Sequence, residues 1–596
     1  MKEKSVPALA PTNATGTLGE LPARNALRSP DRVAFRRRSD DGWSPITAAM
    51  FASEVAALAK GLIASGVQAG DTVGVMSRTR YEWTLADFAL WAAGAVPVPI
   101  YETSSPDQIQ WILSDSGAVA VIVEHAEHAA SIDGIRDQLP ALRTVWAIDL
   151  GDLDSVAATG APLTDDELAG HRAGLDRSSL ATIIYTSGTT GRPKGVELSH
   201  GNFLDLTENA HIEMSDIVDA DGASTLLFLP LAHVFARFIE VLCVDASVTM
   251  GHSADIKNLL EDFAAFEPTF ILAVPRVFEK VFNSAEAKAS GDGRGAIFEQ
   301  AAAAAIAWSE ATDAGKVPLT LRVKHALFDT LVYGKLRAAM GGRVTYAVSG
   351  GAPLGTRLGH FFRGIGVTIL EGYGLTETTA PVTVNRPSAL RIGTVGMPLP
   401  GSSVRIAEDG EVLLKGVGTF RTYHDNPEAT AEAIHDGWFH TGDLGELDGD
   451  GFLKITGRKK EILVTAGGKN VAPAILEDRL RAHPLVSQCI VVGDQRPFIG
   501  ALVTLDAEMV PVWGANHGFD GLTVSKARTN PTVMDELQRA VDTANEAVSK
   551  AESIRKFAVL EDDFTEENGY LTPSLKLKRN VVMRDFTDEV DGLYAT

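Results

Sequence analysis

The chain reads Tyr185-Thr186-Ser187-Gly188-Thr189-Thr190-Gly191-Arg192-Pro193-Lys194-Gly195-Val196 directly after an apolar run at residues 181–184. The apolar run predicts a buried strand, and the stretch after it combines glycines, hydroxyl side chains and two cations. Glycine lets backbone N–H groups approach an anion closely, hydroxyls donate hydrogen bonds, and Lys194 and Arg192 supply positive charge. The stretch therefore predicts a loop that holds the phosphates of a nucleotide.

This loop differs from the phosphate loop of the common nucleoside triphosphatases. Their pattern is Gly-x-x-x-x-Gly-Lys followed by Ser or Thr, whereas Pro193 stands here where the second glycine or the lysine would be required. The sequence thus predicts a nucleotide site of another kind.

Composition restricts the partners and the compartment. The 596 residues are too many for one hydrophobic core, and 54 Lys and Arg face 77 Asp and Glu, a formal net charge of -23. Such a chain repels nucleic acid and anionic lipid unless a basic patch is segregated on its surface, and no nucleic-acid partner is expected. The cysteines, Cys243 and Cys489, lie far apart without metal-type spacing, which fits a reducing cytoplasm.

Targeting signals are not expected either. The first twenty-odd residues contain no continuous apolar core of a secretory signal, and no run approaches the roughly 18 apolar residues of a membrane span. We therefore expect a soluble protein. Peripheral contact with the inner face of a membrane and the oligomeric state stay open.

Hydrophobic periodicity predicts an α/β fold. Residues 72–76, 96–101 and 119–123 have the β-branched, apolar character of strands, and residues 81–93 and 105–115 between them have helical periodicity. Such alternation is typical of βαβ units on a mostly parallel sheet.

Two other regions have a different texture. Residues 149–176 are acidic and poorly periodic, so we expect a surface connection that runs into the phosphate loop. From about residue 393 to residue 457, short strands separated by glycines indicate a small β-rich unit, and residues 463–596 follow as a final region.

Two clusters after the phosphate loop contain residues suited to a nucleotide. Gly350-Gly351-Ala352-Pro353-Leu354 is a glycine turn through which backbone could meet a flat ligand. Glu371-Gly372-Tyr373-Gly374-Leu375-Thr376-Glu377 offers Tyr373 to stack on a base and Thr376 to donate to a phosphate. Glu377 could ligate Mg²⁺, which prefers oxygen donors.

Three more clusters lie towards the C-terminus. In Trp438-Phe439-His440-Thr441-Gly442-Asp443, an aspartate at a glycine turn can accept both hydroxyls of a ribose. Gly457-Arg458-Lys459-Lys460-Glu461 and Leu571-Thr572-Pro573-Ser574-Leu575-Lys576-Leu577-Lys578-Arg579 are charged stretches. Taken alone, either is more often a solvated surface than a site.

Together and in this order, the clusters resemble those of the AMP-forming adenylating enzymes, a superfamily that includes acyl-CoA synthetases, firefly luciferase and nonribosomal adenylation domains. The resemblance spans residues 20–590. Within the superfamily, further segments resemble bacterial long-chain fatty acyl-CoA synthetases. These are Leu229-Pro230-Leu231-Ala232-His233-Val234-Phe235, Val274-Pro275-Arg276-Val277-Phe278-Glu279-Lys280, Ala466-Gly467-Gly468-Lys469-Asn470-Val471-Ala472-Pro473 and Glu567-Asn568-Gly569-Tyr570-Leu571-Thr572-Pro573.

The resemblance implies a fold and a domain order. Residues 1–20 form a disordered N-terminus. A large N-terminal domain follows at residues 21–457. It contains stacked, mostly parallel sheets with helices and a β-rich subdomain at about 393–457. A hinge at residues 458–462 then leads to a smaller, mobile α+β C-terminal domain at residues 463–596.

The resemblance also implies a reaction. A long-chain fatty carboxylate attacks the α-phosphorus of MgATP, which gives an acyl-adenylate and pyrophosphate, and coenzyme A then displaces AMP. The implied catalytic residues are Lys576, Glu377 and Thr186, with Glu377 and Thr186 at Mg²⁺. The implied ATP- and AMP-binding residues are Thr186, Ser187, Gly188, Thr189, Thr190, Gly191, Lys194, Gly350, Gly351, Ala352, Glu371, Gly372, Tyr373, Gly374, Thr376, Asp443 and Arg458.

The remaining implied roles concern motion and the other substrates. Lys460 is the expected pivot of the hinge, Gly467, Gly468 and Lys469 line the passage for coenzyme A, and His233 and Phe235 border the acyl pocket. One departure concerns the lysine: many members have Gly before it, whereas Leu575 precedes Lys576 here, so Lys578 is the competing assignment.

Three alternatives stay open from the sequence. A fatty acyl-AMP ligase would pass its adenylate to an acyl carrier protein, but the inserted segment typical of such ligases is not recognised here. Oxidative luciferase chemistry shares the adenylation step, but nothing in the sequence argues for oxygen chemistry. A non-catalytic acyl-nucleotide sensor would keep the fold and lose Glu377, Asp443, Arg458 or Lys576, all of which are present.

Overall fold

The computed structural model describes residues 2–11, 13–39, 42–186, 192–572 and 576–595. Its helices, apart from short 3₁₀ and π turns, are Leu21–Arg28, Ala48–Ala64, Tyr81–Ala92, Pro106–Asp115, Ala126–Asp133, Asp152–Thr159, Asp165–His171, His200–Glu213, Ser215–Val218, Val234–Asp245, Leu259–Phe266, Pro275–Gly291, Gly295–Asp313, Leu319–Phe328, Gly334–Ala339, Thr356–Gly364, Pro427–Ala433, Pro473–Arg481, Met509–Asn516, Val524–Ala527, Pro531–Asn545, Arg579–Asp585 and Thr587–Tyr594. Among the described residues, no helix has both the length and the apolar character that a membrane crossing requires.

Two sheets of the large domain are built mainly from parallel strands. The first has the order Val96–Ile100, Thr72–Met76, Ala120–Val123, Thr144–Ala147, with every pair parallel. The second has the order Ser224–Leu227, Thr249–His252, Val33–Ser39, Gly42–Thr47, with only the last pair antiparallel. The predicted α/β class with parallel sheets is confirmed.

The third sheet of this domain changes direction near the site. Its order is Phe270–Ala273, Tyr346–Ser349, Thr368–Leu375, Ala380–Val384, Met397–Pro398. The first two pairs are parallel and the last two antiparallel. A small antiparallel sheet, Thr422–Tyr423, Lys194–Ser199, Leu180–Thr186, carries the two strands that flank the predicted phosphate loop.

The β-rich unit is one antiparallel sheet of the order Lys2–Val6, Ser402–Ile406, Glu411–Gly416, Trp438–Leu447, Ile434–His435, and Leu453–Arg458 also pairs with Trp438–Leu447. Its core merges with that of the large domain. The strands Leu463–Val464 and Asn470–Val471, and the sheet Val486–Val492, Ile499–Leu505, Ile554–Val559, belong to the C-terminal region, which packs around apolar clusters of its own.

The expected disorder of residues 1–20 differs from the structure. Lys2–Val6 is a strand that pairs in antiparallel register with Ser402–Ile406, and Leu18 is fully buried. The strand is stabilised by main-chain hydrogen bonds to a segment four hundred residues away. Local composition carries no signal of such a pairing, which explains the wrong expectation.

The surface connection expected at residues 149–176 is mostly exposed, and it is partly helical. It contains the helices Asp152–Thr159 and Asp165–His171. The second begins with a capping box, in which the Thr164 hydroxyl accepts from the Glu167 N–H and the Glu167 carboxylate accepts from the Thr164 N–H. Each helix is too short to be stable alone and depends on tertiary packing. A segment of this length covers about two turns, so it shows little helical periodicity.

Candidate active site

A cavity of about 2270 Å³ lies between the third sheet, the β-rich sheet and the C-terminal domain. It brings together most of the residues that the sequence singled out. The predicted site residues that line it are Thr186, Lys194, His233, Phe235, Gly350, Gly351, Ala352, Glu371, Gly372, Tyr373, Gly374, Thr376, Glu377, Asp443, Arg458, Lys460 and Lys576. Ser187, Gly188, Thr189, Thr190 and Gly191 lie outside the described residues.

The Asp443 carboxylate is held from two sides. Asp443 and Arg458 are cross-strand partners, and Arg458 Nε donates to Asp443 Oδ1 at 2.9 Å. The Tyr373 hydroxyl donates to Asp443 Oδ2 at 2.6 Å. Each carboxylate oxygen keeps a second lone pair, so Asp443 can still accept two hydroxyl groups from a ligand. This is the arrangement that a ribose diol needs.

Glu377 is half-buried in the cavity wall beside the phosphate-loop strands. The Tyr423 hydroxyl donates to Glu377 Oε1 at 2.8 Å, and Lys194 Nζ lies 5.1 Å from the centroid of the Tyr423 ring. Burial raises the pKa of Glu377, whereas the Tyr423 hydrogen bond, Lys576 and Arg458 lower it. Glu377 forms no ion pair with any side chain in the described part of the chain.

This environment fits a magnesium ion. A carboxylate without a paired cation beside a phosphate loop is the oxygen donor that Mg²⁺ takes when most of its remaining ligands are water and nucleotide phosphate. The described residues contain no group of three or more His, Cys, Asp or Glu that could hold a metal by themselves.

The glycine turn and the following strand form a tightly packed wall. Gly351 has φ +83°, a conformation that side chains other than glycine rarely adopt, and a Cβ on Gly374 would stand 1.7 Å from the Ala380 carbonyl oxygen. Glu371 is a buried residue of this wall and accepts a hydrogen bond of 3.0 Å from the Leu354 N–H. Burial raises the pKa of Glu371 to about 7.

Lys576 reaches the same cavity from the C-terminal domain. Two hydrogen bonds link it to Thr572: the Thr572 N–H donates to the Lys576 carbonyl at 2.8 Å, and the Lys576 N–H donates to the Thr572 hydroxyl oxygen at 3.0 Å. Lys576 is exposed, and it lines the cavity. Desolvation of the ammonium inside the cavity and the positive charge of Arg458 lower the pKa of Lys576, while Asp443 and Glu377 raise it. The lysine is thus close to the residues that hold the predicted nucleotide.

His233 and Phe235 begin the apolar part of the cavity. His233 Nδ1 accepts from the Phe235 N–H at 3.2 Å and caps the helix Val234–Asp245. The Phe235 ring packs on Gly350, where a Cβ would lie 3.2 Å from its Cζ atom. Burial lowers the pKa of His233 to about 3, so the imidazole is neutral.

The structure locates the apolar continuation of this cavity. One face of the helix contributes Phe238, Ile239 and Leu242, which recede in steps from the His233 end. The cavity lining contains further apolar residues, which are Ala210, Met214, Ile217, Val218, Pro381, Val384 and Leu399. A long hydrocarbon chain would find apolar contacts along this part of the cavity.

The other face of this helix is fastened by a buried ion pair. Arg237 is fully buried and donates to both oxygens of Asp87, at 2.8 and 2.7 Å, and to the Thr182 hydroxyl at 2.6 Å. A bidentate pair of this kind fixes the guanidinium in one orientation. It therefore fixes the rotation of the helix that lines the apolar cavity.

The predicted coenzyme A residues are not brought to the cavity. Gly467, Gly468 and Lys469 lie in an exposed turn between Leu463–Val464 and Asn470–Val471, and Lys469 pairs with Glu552 at 3.3 Å. Lys460 lies in the 3₁₀ turn Lys459–Glu461, between the two domains, and is exposed.

Tyr423 is the site residue that sequence reasoning missed. It belongs to the two-residue strand Thr422–Tyr423, whose pairing with Val196 and Glu197 brings its ring next to Lys194. A strand of two residues has no periodicity to detect. Its role depends on a contact between segments more than two hundred residues apart.

Comparison with known families gives two matches that cover nearly the whole chain. Residues 22–424 match the model of the AMP-binding enzyme family. Residues 460–596 match the model of the AMP-binding enzyme C-terminal domain.

Individual proteins are also similar to this chain. A long-chain-fatty-acid–CoA ligase, FadD15 of Mycobacterium bovis, is 51% identical over 598 residues that cover 100% of both chains. The crystal structure of the anthranilate CoA ligase AuaEII with anthranoyl-AMP has a TM-score of 0.74 at 20% identity and covers 96% of this chain and 98% of its own. The O-succinylbenzoate coenzyme A synthetase MenE of Bacillus subtilis, with ATP and magnesium, has a TM-score of 0.67 at 21% identity and covers 94% and 98%.

Proposed function

Because the chain belongs to the AMP-binding enzyme family, we propose that it activates long-chain fatty acids as coenzyme A thioesters, with ATP converted to AMP and pyrophosphate. The observation that carries the proposal is the shared cavity. Asp443, Arg458, Glu377 and Lys576 line one part of it, and the apolar face of the helix Val234–Asp245 lines another. A polar nucleotide end joined to an apolar arm suits an acyl-adenylate.

The first half-reaction brings anions together. A carboxylate oxygen forms a bond to the α-phosphorus while the bond to the pyrophosphate oxygen breaks, and negative charge spreads over the phosphates. We assign Lys576 to the reacting carboxylate and α-phosphate, because its compact ammonium concentrates positive charge at one point. Its proximity to Arg458, Asp443 and Glu377 supports this assignment.

We assign the remaining nucleotide contacts as follows. Asp443 and Arg458 take the ribose hydroxyls, and Tyr373 with the backbone at Gly350, Gly351 and Ala352 frames the base. Thr186, Lys194 and the intervening residues 187–191 take the β- and γ-phosphates. Glu377 and Thr186 would hold Mg²⁺, which neutralises phosphate charge when bound.

The second half-reaction requires a different arrangement at the same centre. The coenzyme A sulfur bonds to the acyl carbon, and AMP leaves with the electron pair of the broken C–O bond. We propose that the C-terminal domain, residues 463–596, rotates about residues 458–462 so that Gly467, Gly468 and Lys469 reach the cavity. The ion pairs Arg276–Asp506, at 3.1 Å, and Lys280–Glu508, at 2.7 Å, would open in that motion.

The preference for long chains rests on the apolar arm of the cavity, which is the part lined by the helix Val234–Asp245. Each methylene removed from water contributes about 0.8 kcal/mol, so an arm that accepts a long chain discriminates steeply against short ones. The name of the relative that is 51% identical points to the same substrate class. We further propose a cytoplasmic location with peripheral membrane contact, supported by the free, buried Cys243 and Cys489 and by the residence of long-chain fatty acids in bilayers.

The test is pyrophosphate release measured with saturated fatty acids of increasing length, with and without coenzyme A. We expect turnover that rises with chain length and free acyl-CoA as product. The variant Ile217→Trp, which fills the apolar arm, should move the optimum to shorter chains, whereas Ile212→Trp, on an exposed neighbouring position, should not. Adenylate formation without thioester formation would instead favour transfer to an acyl carrier protein, and no turnover with any acid would favour a sensor.

A further inference from the structure

Four large apolar side chains form an exposed stripe along one helix of the large domain. Leu319, Val323, Leu327 and Leu331 are 75%, 66%, 56% and 49% exposed. They recur every fourth residue through the helix Leu319–Phe328 and the π turn after it. At 1.5 Å per residue, this apolar stripe runs for about 18 Å. A continuous exposed apolar surface marks a contact site more often than a scattered one does.

The opposite face of the same helix is firmly attached to the protein. Phe328 and Tyr333 are buried, and the Tyr333 hydroxyl donates to the Ala301 carbonyl at 2.7 Å. The His325 ring stacks on Trp308 with centroids 4.1 Å apart, and His325 Nε2 lies 2.7 Å from the Gly364 carbonyl oxygen. The stripe is therefore presented by a rigid, well-packed helix.

Positive charge flanks the stripe on an otherwise acidic chain. Residues 316–337 contain five Lys or Arg and one acidic residue, whereas the whole chain has 54 against 77. Four of these, Lys316, Arg322, Lys324 and Lys335, are exposed, and none forms an ion pair within the described part of the chain. The acidic residue, Asp329, is paired with Arg337 at 2.7 Å.

We propose that this stripe and its basic flank dock the enzyme on a membrane surface that carries anionic lipids. Apolar side chains on one line, with Lys and Arg beside them, are the features by which helices bind in the plane of a bilayer. A second copy of the chain fits less well, because symmetric pairing of the stripe would bring the two basic flanks together. Docking would present the enzyme to the bilayer in which long-chain fatty acids dissolve.

The experiment measures partition of the full-length protein onto vesicles, without fatty acid or ATP. The vesicles are phosphatidylcholine alone or phosphatidylcholine mixed with phosphatidylglycerol. We expect binding to the mixed vesicles that weakens with salt. The triple variant Leu319→Ser, Val323→Ser, Leu327→Ser should bind about tenfold more weakly or worse. The matched control changes Leu27 and Leu150 to Ser, which are 87% and 64% exposed elsewhere, and should bind like the parent.

A second set separates charge from apolar contact. Arg322→Ser, Lys324→Ser and Lys335→Ser should each weaken binding to the mixed vesicles about fivefold and leave binding to phosphatidylcholine alone unchanged. Equal binding by parent and stripe variant overturns the proposal, as does a parent that binds neither vesicle. A parent dimer that the stripe variant dissociates, seen by light scattering, overturns it in favour of self-association.

The inference rests on the proposed function only for its substrate argument, so the two can fail separately. Vesicle binding needs no catalysis. In turn, the stripe variant should retain ligase activity on a medium-chain fatty acid in free solution, and this activity together with the thermal melting temperature also establishes that the variant is folded. A parent protein without ligase activity would contradict the proposed function and leave the vesicle result unaffected.

Discussion

The Tyr423 hydroxyl donates a hydrogen bond of 2.8 Å to the Glu377 carboxylate, and the ring of the same tyrosine lies beside the Lys194 ammonium. One side chain thus sets the position of the carboxylate assigned to Mg²⁺ and of the phosphate-loop lysine. Its removal tests whether these two groups act together.

Tyr423→Phe keeps the ring and removes the hydrogen bond to Glu377. Because a hydrogen bond to a charged group contributes about 1.5–3 kcal/mol, we expect kcat/KM for MgATP to fall about tenfold or more. The apparent affinity for Mg²⁺, from a titration at fixed ATP, should fall with it. Tyr346→Phe, on the strand Tyr346–Ser349, serves as the control. A Tyr423→Phe enzyme with unchanged magnesium dependence would contradict the assignment of Glu377.

Lys576→Ala should abolish adenylate formation and spare thioester formation from supplied acyl-AMP. The lysine stabilises charge on the reacting phosphate only in the first half-reaction, and loss of such a group costs about a hundredfold or more. Pyrophosphate release and acyl-CoA formation are measured separately. Lys578→Ala is the matched control because Lys578 also lines the cavity. If both half-reactions of Lys576→Ala are lost alike, the lysine has another role.

Lys460→Pro should impair thioester formation far more than adenylate formation. Lys460 lies in a 3₁₀ turn, whose φ of about −50 to −70° is close to the value that proline imposes. The substitution therefore suits the present arrangement, with Lys576 at the nucleotide end, and resists rotation away from it. Lys460→Ala removes the same side chain without fixing φ and should retain both steps. Equal losses in both half-reactions of the proline variant would argue against a hinge at this residue.

Glu371 makes the stability of the protein depend on pH. Burial raises its pKa to about 7, whereas an unfolded chain returns it to about 4.3. Because the folded state holds the Glu371 proton more tightly than the unfolded state, proton binding stabilises the folded state. This stabilisation is fully present at pH values below about 4.3 and is lost as the pH rises to about 7. Relative to Glu371→Gln, the parent should lose up to about 3 kcal/mol of stability between pH 5 and about pH 8. Urea unfolding of both proteins across this range checks the trend, and parallel curves would contradict it.

The buried pair of Asp87 and Arg237 gives a stability prediction. Arg237→Met leaves the Asp87 charge buried without a partner and should cost about 3–5 kcal/mol. The double variant Arg237→Met, Asp87→Leu removes both charges and should recover most of that loss. The free energies of unfolding of the parent, Arg237→Met, Asp87→Leu and the double variant together give the coupling energy. A double variant no more stable than Arg237→Met would contradict the pairing as the cause.

The sequence predicted those parts of the fold whose signal is local. Residues 72–76 form the expected strand, and the helix expected at residues 81–93 ends at Ala92, one residue before its predicted end. Both predictions rest on apolar periodicity, which matches the burial of each element. Lys2–Val6 and Tyr423 were not foreseen, since each depends on backbone pairing with a distant strand. The ordered glycine and acidic clusters identified the candidate site, but the convergence of Asp443, Tyr373 and Arg458 on one carboxylate required the fold.

The pairing of Lys2–Val6 with Ser402–Ile406 also has a consequence for solubility. Without it, Ser402–Ile406 would be the outermost strand, with its N–H and C=O groups open to another molecule. The segment that covers it carries Lys2, Glu3 and Lys4, and charged side chains on a boundary strand discourage further strand addition. Removal of the first six residues should therefore leave the fold intact and make the protein prone to aggregate through this sheet.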